Sequence, residues 1–348
     1  MNYTEFFASV KNGTIAPCYL FEGEEEYTKH SALLALRKKL IDPAFQEMND
    51  SRLTDPGADA LIAANETFPF MADKRLVTVF ESGMLSGKAG DYDEDKAVER
   101  LKGYLPHLPD SSCLVFYVRG KADGRKKLYA QIKKYGVIVT FDRLDDKSLV
   151  QWIAKEFKNH GQQITVDGCE RLYFSAGRDL TLLSNEIEKI SAYAADKTKI
   201  TGEDVEAICT KSTEYKLFEL AGVLLEGSGK KAFDMLEGLL REGESRVALI
   251  SLLGRQCRQM QTIACLMQEK KQNNELARLV GVPPFALQKL VAQTKKYSLE
   301  QIDGMVAMCL ESEYQFKSGQ IADEGSLERI MLHILSLCAA NKKAGRGL

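Results

Sequence analysis

The sequence predicts an α/β domain followed by two all-helical regions, and three observations carry that class. Short apolar runs of strand character alternate with amphipathic helical segments as far as Phe141. From Asp146 onward the strand pattern stops and helical periodicity takes over. A chain of 348 residues also exceeds what one hydrophobic core comfortably serves. Strands alternating with helices at this spacing imply a parallel sheet with helices on both faces. Domains are expected at 1–143 (α/β), 144–210 (small, helical) and 211–348 (larger, helical).

Taken in order, residues 17–23 read as a short buried strand ending at Gly23, and Glu26 to Ile41 as a helix with Leu33, Leu36, Leu40 and Ile41 on one face. Asp42-Pro43 stops that helix. Phe45 to Leu53 is ambiguous between strand and other conformations. Ala58 to Glu66 reads as a short helix, Arg75 to Glu81 as a strand, Glu94 to Tyr104 as a helix and Cys113 to Val118 as a strand. Gly124 to Lys134 (helix) and Val137 to Phe141 (strand) complete the α/β part. Beyond it, helices are expected over Ser148–Asn159, Asp167–Ala176 and Asp179–Ala194, with a fourth capped by Thr201. The last region shows helical faces at Leu217/Leu220/Ala221/Leu224, at Ala232/Phe233/Leu236/Leu240, and from Val247 to Met267. Further helices are expected over Leu299–Phe316 and Leu327–Leu337.

Charge and composition exclude several functions. With 47 Lys plus Arg against 49 Asp plus Glu, the net charge of −2 argues against a surface built throughout for nucleic acid. No basic segment leads into an apolar run at the start, and no stretch approaches the ~18 apolar residues of a membrane span, so a cytoplasmic protein is expected. The eight cysteines are scattered, without C-x-x-C, and mostly sit in apolar runs; buried free thiols are expected. Four dispersed histidines suggest neither a metal site nor a triad.

One connection is out of character. Between the helix ending at Glu66 and the strand from Arg75 lies Phe68-Pro69-Phe70-Met71. Connections are normally polar because they run over the surface. An apolar cluster there is either tucked inward as a staple or offered to another protein as an anchor.

The place where a nucleotide-binding α/β domain carries its phosphate loop is also unusual. A Gly-rich loop ending in Lys-Ser/Thr would follow the first strand. Phe21-Glu22-Gly23-Glu24-Glu25-Glu26-Tyr27 has one glycine, no Lys-Ser/Thr and four carboxylates, which would repel phosphate. A solvated helix start, where carboxylates suit the macrodipole, accounts for the same run. No strand ends in an Asp-Glu pair suited to magnesium. Neither a cofactor, a metal nor a catalytic residue is expected.

Several segments in order, Tyr19-Leu20-Phe21-Glu22-Gly23-Glu24, Phe68-Pro69-Phe70-Met71-Ala72-Asp73-Lys74-Arg75-Leu76, Lys121 to Lys127, Leu183 to Lys189 and Phe316-Lys317-Ser318-Gly319, make the chain resemble the delta subunits of bacterial DNA polymerase III. The resemblance covers essentially the whole length. It implies an AAA+-like α/β domain with a degenerate P-loop, a small helical lid domain and a helical collar that oligomerises with other clamp-loader subunits in DNA replication. It also implies a non-catalytic subunit of a DNA-directed DNA polymerase holoenzyme, and no membrane partner. The family's clamp-binding element is a pair of adjacent apolar side chains after the helix preceding the third strand. That pair falls on Phe70 and Met71, with Pro69 shaping the approach and Phe68 either inward staple or further anchor. Phe-Met departs in identity, not in character, from the leucine–phenylalanine type of some relatives. The implied partners are the sliding clamp (beta subunit), the other loader subunits through the collar, and primer–template DNA within the assembly, with contacts near Phe285, Lys289 or Lys317.

Two other segments compete for function. The basic run Lys121 to Lys134 could track phosphates, though a solvated helix face explains it. Glu275 to Leu290 has helix-turn-helix spacing around Gly281, which supports the alternative of a DNA-binding regulator; early in its second helix only Gln288 and Lys289 offer polar contacts. Lys317-Ser318-Gly319 reads as a helix C-cap with a basic last turn, and the stretch from Asn341 as a frayed end.

Overall fold

Alternation along the first strand sets the layers of the α/β part. In β1 (Cys18–Glu22) all residues are buried; Cys18 and Leu20 join one apolar layer, Tyr19 and Phe21 the opposite one. The computed structural model describes residues 1–86, 92–269, 273–320 and 325–344. The chain forms two compact units, Met1–Leu149 and Val150–Leu348.

In the first unit α1 (Tyr3–Lys11), β1, α2 (Glu26–Leu40), α3 (Gln46–Asn49), β2 (Asp50–Thr54), α4 (Ala58–Glu66), β3 (Arg75–Phe80), α5 (Gly83–Ser86), α6 (Glu94–Tyr104), β4 (Ser112–Tyr117), α7 (Lys127–Tyr135) and β5 (Val137–Thr140) follow one another. The strands form one parallel sheet in the order β2-β3-β4-β1-β5. Leu61, Val98, Leu101, Leu128 and Ile132 cover one face, while Phe6, Val10, Leu33 and Leu36 cover the other. The parallel α/β class, with helices on both sides, is therefore as expected. The ambiguous stretch resolves into a helical turn, Pro43–Asn49, running directly into β2. The helix expected from Gly124 begins only at Lys127.

Helix α1 was not anticipated. Its signal was present as a capping box: Asn2 Oδ1 accepts from the Glu5 N–H and the Glu5 carboxylate accepts from the Asn2 N–H. Its Phe6 ring sits edge-on to Tyr19 and Phe21 at 5.5 and 5.1 Å. Such edge-to-face pairs add about 0.5–1.5 kcal/mol each beyond their burial.

The second unit contains most of α8 (Asp146–Asn159), then α9 (Val166–Ala176), α10 (Leu180–Tyr193), α11 (Gly202–Ile208), α12 (Thr213–Leu225), α13 (Gly229–Arg241), α14 (Arg246–Gln268), α15 (Asn273–Val280), α16 (Pro284–Thr294), α17 (Leu299–Lys317) and α18 (Ser326–Ala344). The strand pattern does not vanish entirely: β6 (Gln163–Ile164) and β7 (Lys199–Ile200) form a parallel two-residue pair too short to give a periodic signal. In α13 the buried face is Ala232, Leu236 and Leu239, with Leu240 only partly covered. Seven cysteines are buried, but Cys265 on α14 is exposed, against expectation. Asn341 is no frayed residue: it lies in α18, where its amide donates to the Lys296 carbonyl at 2.8 Å and pairs with Gln301. The rest of that tail, 345–348, lies outside the described residues.

Thr201 caps α11 as expected, within a reciprocal box with Asp204. The Lys197 ammonium, then the Thr201 N–H and hydroxyl, pull the Asp204 carboxyl from 3.8 to about 2. A depressed carboxylate contributes stability above its unfolded value and loses it as pH falls through the folded one. The stability deficit of Asp204→Asn in urea unfolding should therefore hold constant from about pH 7 to pH 5. It should close between about pH 4 and pH 2.

Candidate functional site

Because the strands are parallel, the segments preceding β2, β3 and β4 all lie at one end of the sheet. The Phe68–Met71 connection precedes β3 and the turn Pro43–Asn49 precedes β2. The vestigial phosphate loop follows β1 and lies at the opposite, carboxyl end, where open α/β sheets hold their ligands.

The apolar connection is uncovered. Phe68 is 87% exposed, Met71 73% and Phe70 50%, with Pro69 half-buried between them. Phe68 is thus no inward staple. Its side chain lies as far out as those of the anchor pair, because α4 is already sealed to the sheet by Leu61 and Asn65. Asn65 donates to the Leu61 carbonyl and accepts from the Ser112 hydroxyl at 2.7 Å. Phe70 leans its ring edge-on to Phe45, 5.8 Å away, so half of its surface remains for a partner. Met48, on the same turn as Phe45, is 59% exposed and enlarges the apolar surface.

This knuckle is held, not loose. The buried Arg75 side chain donates to the Thr67 carbonyl at 2.9 Å and to the Ser51 hydroxyl at 2.6 Å. Its burial lowers the guanidinium pKa. Lys74 donates to the Asp110 carbonyl at 2.7 Å, and the Thr67 hydroxyl closes on the Ala63 carbonyl at 2.8 Å. Met71 has φ 50°, a left-handed conformation that a non-glycine residue holds only where its surroundings impose it. Sequence reasoning missed Phe45, Met48, Asn49, Ser51 and Arg75 as parts of this site. Only Arg75 carried a signal, a charged residue opening a buried strand.

At the other end of the sheet the four carboxylates are not a bare patch of negative charge. Glu22 accepts from the Ala122 N–H at 3.1 Å and Tyr129, Glu24 pairs with Arg143, Glu25 caps α2, and Glu26 accepts from Tyr117 and Lys29. Burial, reinforced by Glu26, pushes the Tyr117 hydroxyl pKa upward. Lys29 is completely buried one turn into α2 and donates to the Gly23 carbonyl at 2.7 Å, the Val118 carbonyl at 2.8 Å and Glu26 at 2.6 Å. A phosphate loop turns N–H groups toward its anion; here two carbonyls converge on an internal cation. The Lys29 ammonium is thus enclosed at this end of the sheet. Gly23, at φ 121°, admits no side chain: a Cβ there would lie 2.1 Å from the Phe141 carbonyl oxygen.

The candidate DNA contacts are not brought together in one exposed basic patch. Phe285 is half-buried, edge-on to Phe174 at 5.3 Å with the Arg171 guanidinium 4.8 Å from its ring. The Lys289 ammonium lies 5.2 Å over the Phe218 ring, and Lys317 pairs with Glu313 at 2.5 Å. The helix-turn-helix spacing is real, α15 and α16 meeting at Gly281 with φ 71°. Yet α16 sinks Ala286, Leu287, Leu290, Gln293 and Thr294 into the bundle, leaving Gln288 and Lys289 outward. In the basic run, Lys121, Arg125, Lys126 and Lys127 pair with Asp142, Asp123, Glu94 and Asp95, as a solvated face would. No described helix is long and apolar enough to cross a membrane.

With this geometry in view, the comparisons with known proteins are consistent from end to end. Residues 19–142 match the family model described as DNA polymerase III, delta subunit, and residues 214–334 match that of the DNA polymerase III delta subunit, C-terminal domain. The chain is 24% identical over 334 residues to the DNA polymerase III subunit delta of Bacillus subtilis, covering 95% of this chain and 96% of that one. It is 24% identical over 293 residues to a probable DNA polymerase III subunit delta of Aquifex aeolicus, covering 83% and 82%. Among solved structures, the Bacillus subtilis DNA clamp loader delta protein superposes with a TM-score of 0.58 at 23% identity, covering 96% of this chain and 99% of that one.

Proposed function

Since the chain belongs to the DNA polymerase III delta-subunit family, we propose that it is a cytoplasmic, non-catalytic clamp-loader subunit that docks on the sliding clamp through Phe70 and Met71, with Pro69 and Phe68 beside them. The observation that carries this reading is an exposed apolar knuckle on a hydrogen-bonded loop, where a connection would ordinarily be polar. A proline and fixed backbone contacts reduce the ordering cost of docking. The chain opens the ring by population shift. A surface that fits only the opened curvature favours the open state by its differential affinity. The subunit hydrolyses no ATP, because Lys29 and two carbonyls fill the place of the phosphates. The helices from 211 onward form the collar that contacts other loader subunits, and those of 144–210 the lid. Primer–template DNA is met within the assembly, by Lys289 and Lys317 rather than by the half-buried Phe285.

The test is equilibrium binding of the full chain to purified sliding clamp, with a parallel titration by labelled ATP. Clamp binding at low-salt and physiological ionic strength, with no ATP uptake, is the expected result. An absent clamp interaction, or saturable ATP binding, would overturn the reading.

A further inference from the structure

We propose that Asn49 is a positioning residue for the docking knuckle, an inference that rests on the clamp-binding reading above. Asn49 ends α3 and its side chain is wholly buried. Its Oδ1 accepts from the Phe70 N–H at 2.7 Å, and its Nδ2 donates to the Phe70 carbonyl at 2.8 Å. The carboxamide thus offers Phe70 the same donor and acceptor that a neighbouring strand would, in a place where no strand lies beside the loop. The second Nδ2 hydrogen goes to the Phe45 carbonyl at 3.2 Å, so both donors are used. Phe45 in turn supplies the ring against which Phe70 rests. One helical turn therefore holds Phe70 by its backbone and by its ring.

The consequence falls on the next residue. With Phe70 pinned by Asn49, and Thr67 held by Arg75 on the other side, the chain turns through the left-handed conformation observed at Met71. That conformation is costly for methionine when unsupported. Without Asn49 the loop would relax, and docking would have to re-order it. The side chains that touch the clamp would be unchanged, yet their affinity would fall.

The experiment measures clamp affinity and amide exchange on the full chain for wild type, Asn49→Leu, Asn49→Asp, Phe70→Ala/Met71→Ala and Asn49→Leu/Phe70→Ala/Met71→Ala. Leucine keeps the volume and removes both hydrogen-bonding functions; aspartate keeps the acceptor alone. Asn49→Leu should raise the clamp Kd about tenfold and speed exchange of the Phe70 amide, while the amides of Val77 and Leu114 in the sheet keep their wild-type rates. Asn49→Asp keeps the bond from the Phe70 N–H but sets an oxygen against the Phe45 and Phe70 carbonyls, so its Kd should rise at least as much as that of Asn49→Leu. Wild-type affinity in it would equally overturn the inference, and it serves alone if the leucine variant does not fold. In the Phe70→Ala/Met71→Ala background the Asn49→Leu penalty should shrink to about twofold or less, because the side chains that Asn49 positions are then gone. Wild-type affinity in Asn49→Leu, or an equal penalty in both backgrounds, would overturn the inference. Failure of wild type itself to bind the clamp would instead overturn the functional reading.

Discussion

Lys29→Ala should destabilise the α/β unit by about 3 kcal/mol or more, although Lys29 touches no expected ligand. The ammonium makes three hydrogen bonds, two of them to buried main-chain carbonyls. Hydrogen bonds to charged groups contribute about 1.5–3 kcal/mol each, and an acceptor left unpaired in the interior costs about 1–3 kcal/mol. The pair with Glu26 counts for little, since that carboxylate is half exposed. Lys29→Met would keep an apolar stem in the same space, yet would lose the ammonium over the Tyr117 ring and leave the Gly23 and Val118 carbonyls equally unsatisfied. Its loss should nearly match that of alanine. Urea unfolding of the full chain, followed by far-UV circular dichroism, checks both. A loss below about 0.5 kcal/mol in either variant would mean that the internal cation does not hold this end of the sheet together. Neither variant should gain affinity for ATP, because no row of inward N–H groups is uncovered by removing the lysine.

The second large effect concerns binding. Phe70→Ala/Met71→Ala should weaken clamp binding at least about 100-fold, which corresponds to about 2.7 kcal/mol. Burying each side chain is worth about 1.5–3 kcal/mol before ordering costs. Half of Phe70 is already covered by its own unit, which places the expected effect toward the lower end of that sum. Stability should hardly change: Met71 lies outside the core, and Phe70 forfeits only its edge contact with Phe45, about 0.5–1.5 kcal/mol. Loss of binding with a nearly unchanged urea midpoint is the expected pattern. Wild-type affinity in the double variant would remove the assigned anchor.

The two sites differ in how much of them could be read from the chain. The apolar loop was legible because its signal is local. Four consecutive residues, Phe68 to Met71, are apolar and cyclic or long where a connection should be polar. Its orientation was not. Whether Phe68 turned inward depended on Asn65 and Ser112 sealing α4 against β4, a contact 47 positions apart in sequence. Asn49 was invisible for the same reason. It stands in a stretch without clear periodicity, and its bonds to Phe70 span 21 residues. At the loop after β1, the legible features were the missing Lys-Ser/Thr and the run of carboxylates. Lys29, buried in the first turn of α2, carries no signal of its own, since nothing local marks that turn as facing Val118. The order of strands and helices was clear because hydrophobic alternation is repeated over the whole α/β part, whereas the two-residue β6–β7 pair is too short to repeat at all.

The central claim is that the clamp seats directly on the knuckle at the amino end of β3, and contact at that point is measurable. A photo-reactive benzoylphenylalanine would replace Met71 in the full chain, and in a second preparation Tyr314, an exposed aromatic residue of α17 far along the helical unit. After irradiation with purified clamp, the account predicts an efficient adduct from position 71, mapped by mass spectrometry to an apolar pocket of the clamp, and little from position 314. Adducts forming from position 314 with none from position 71 would contradict it.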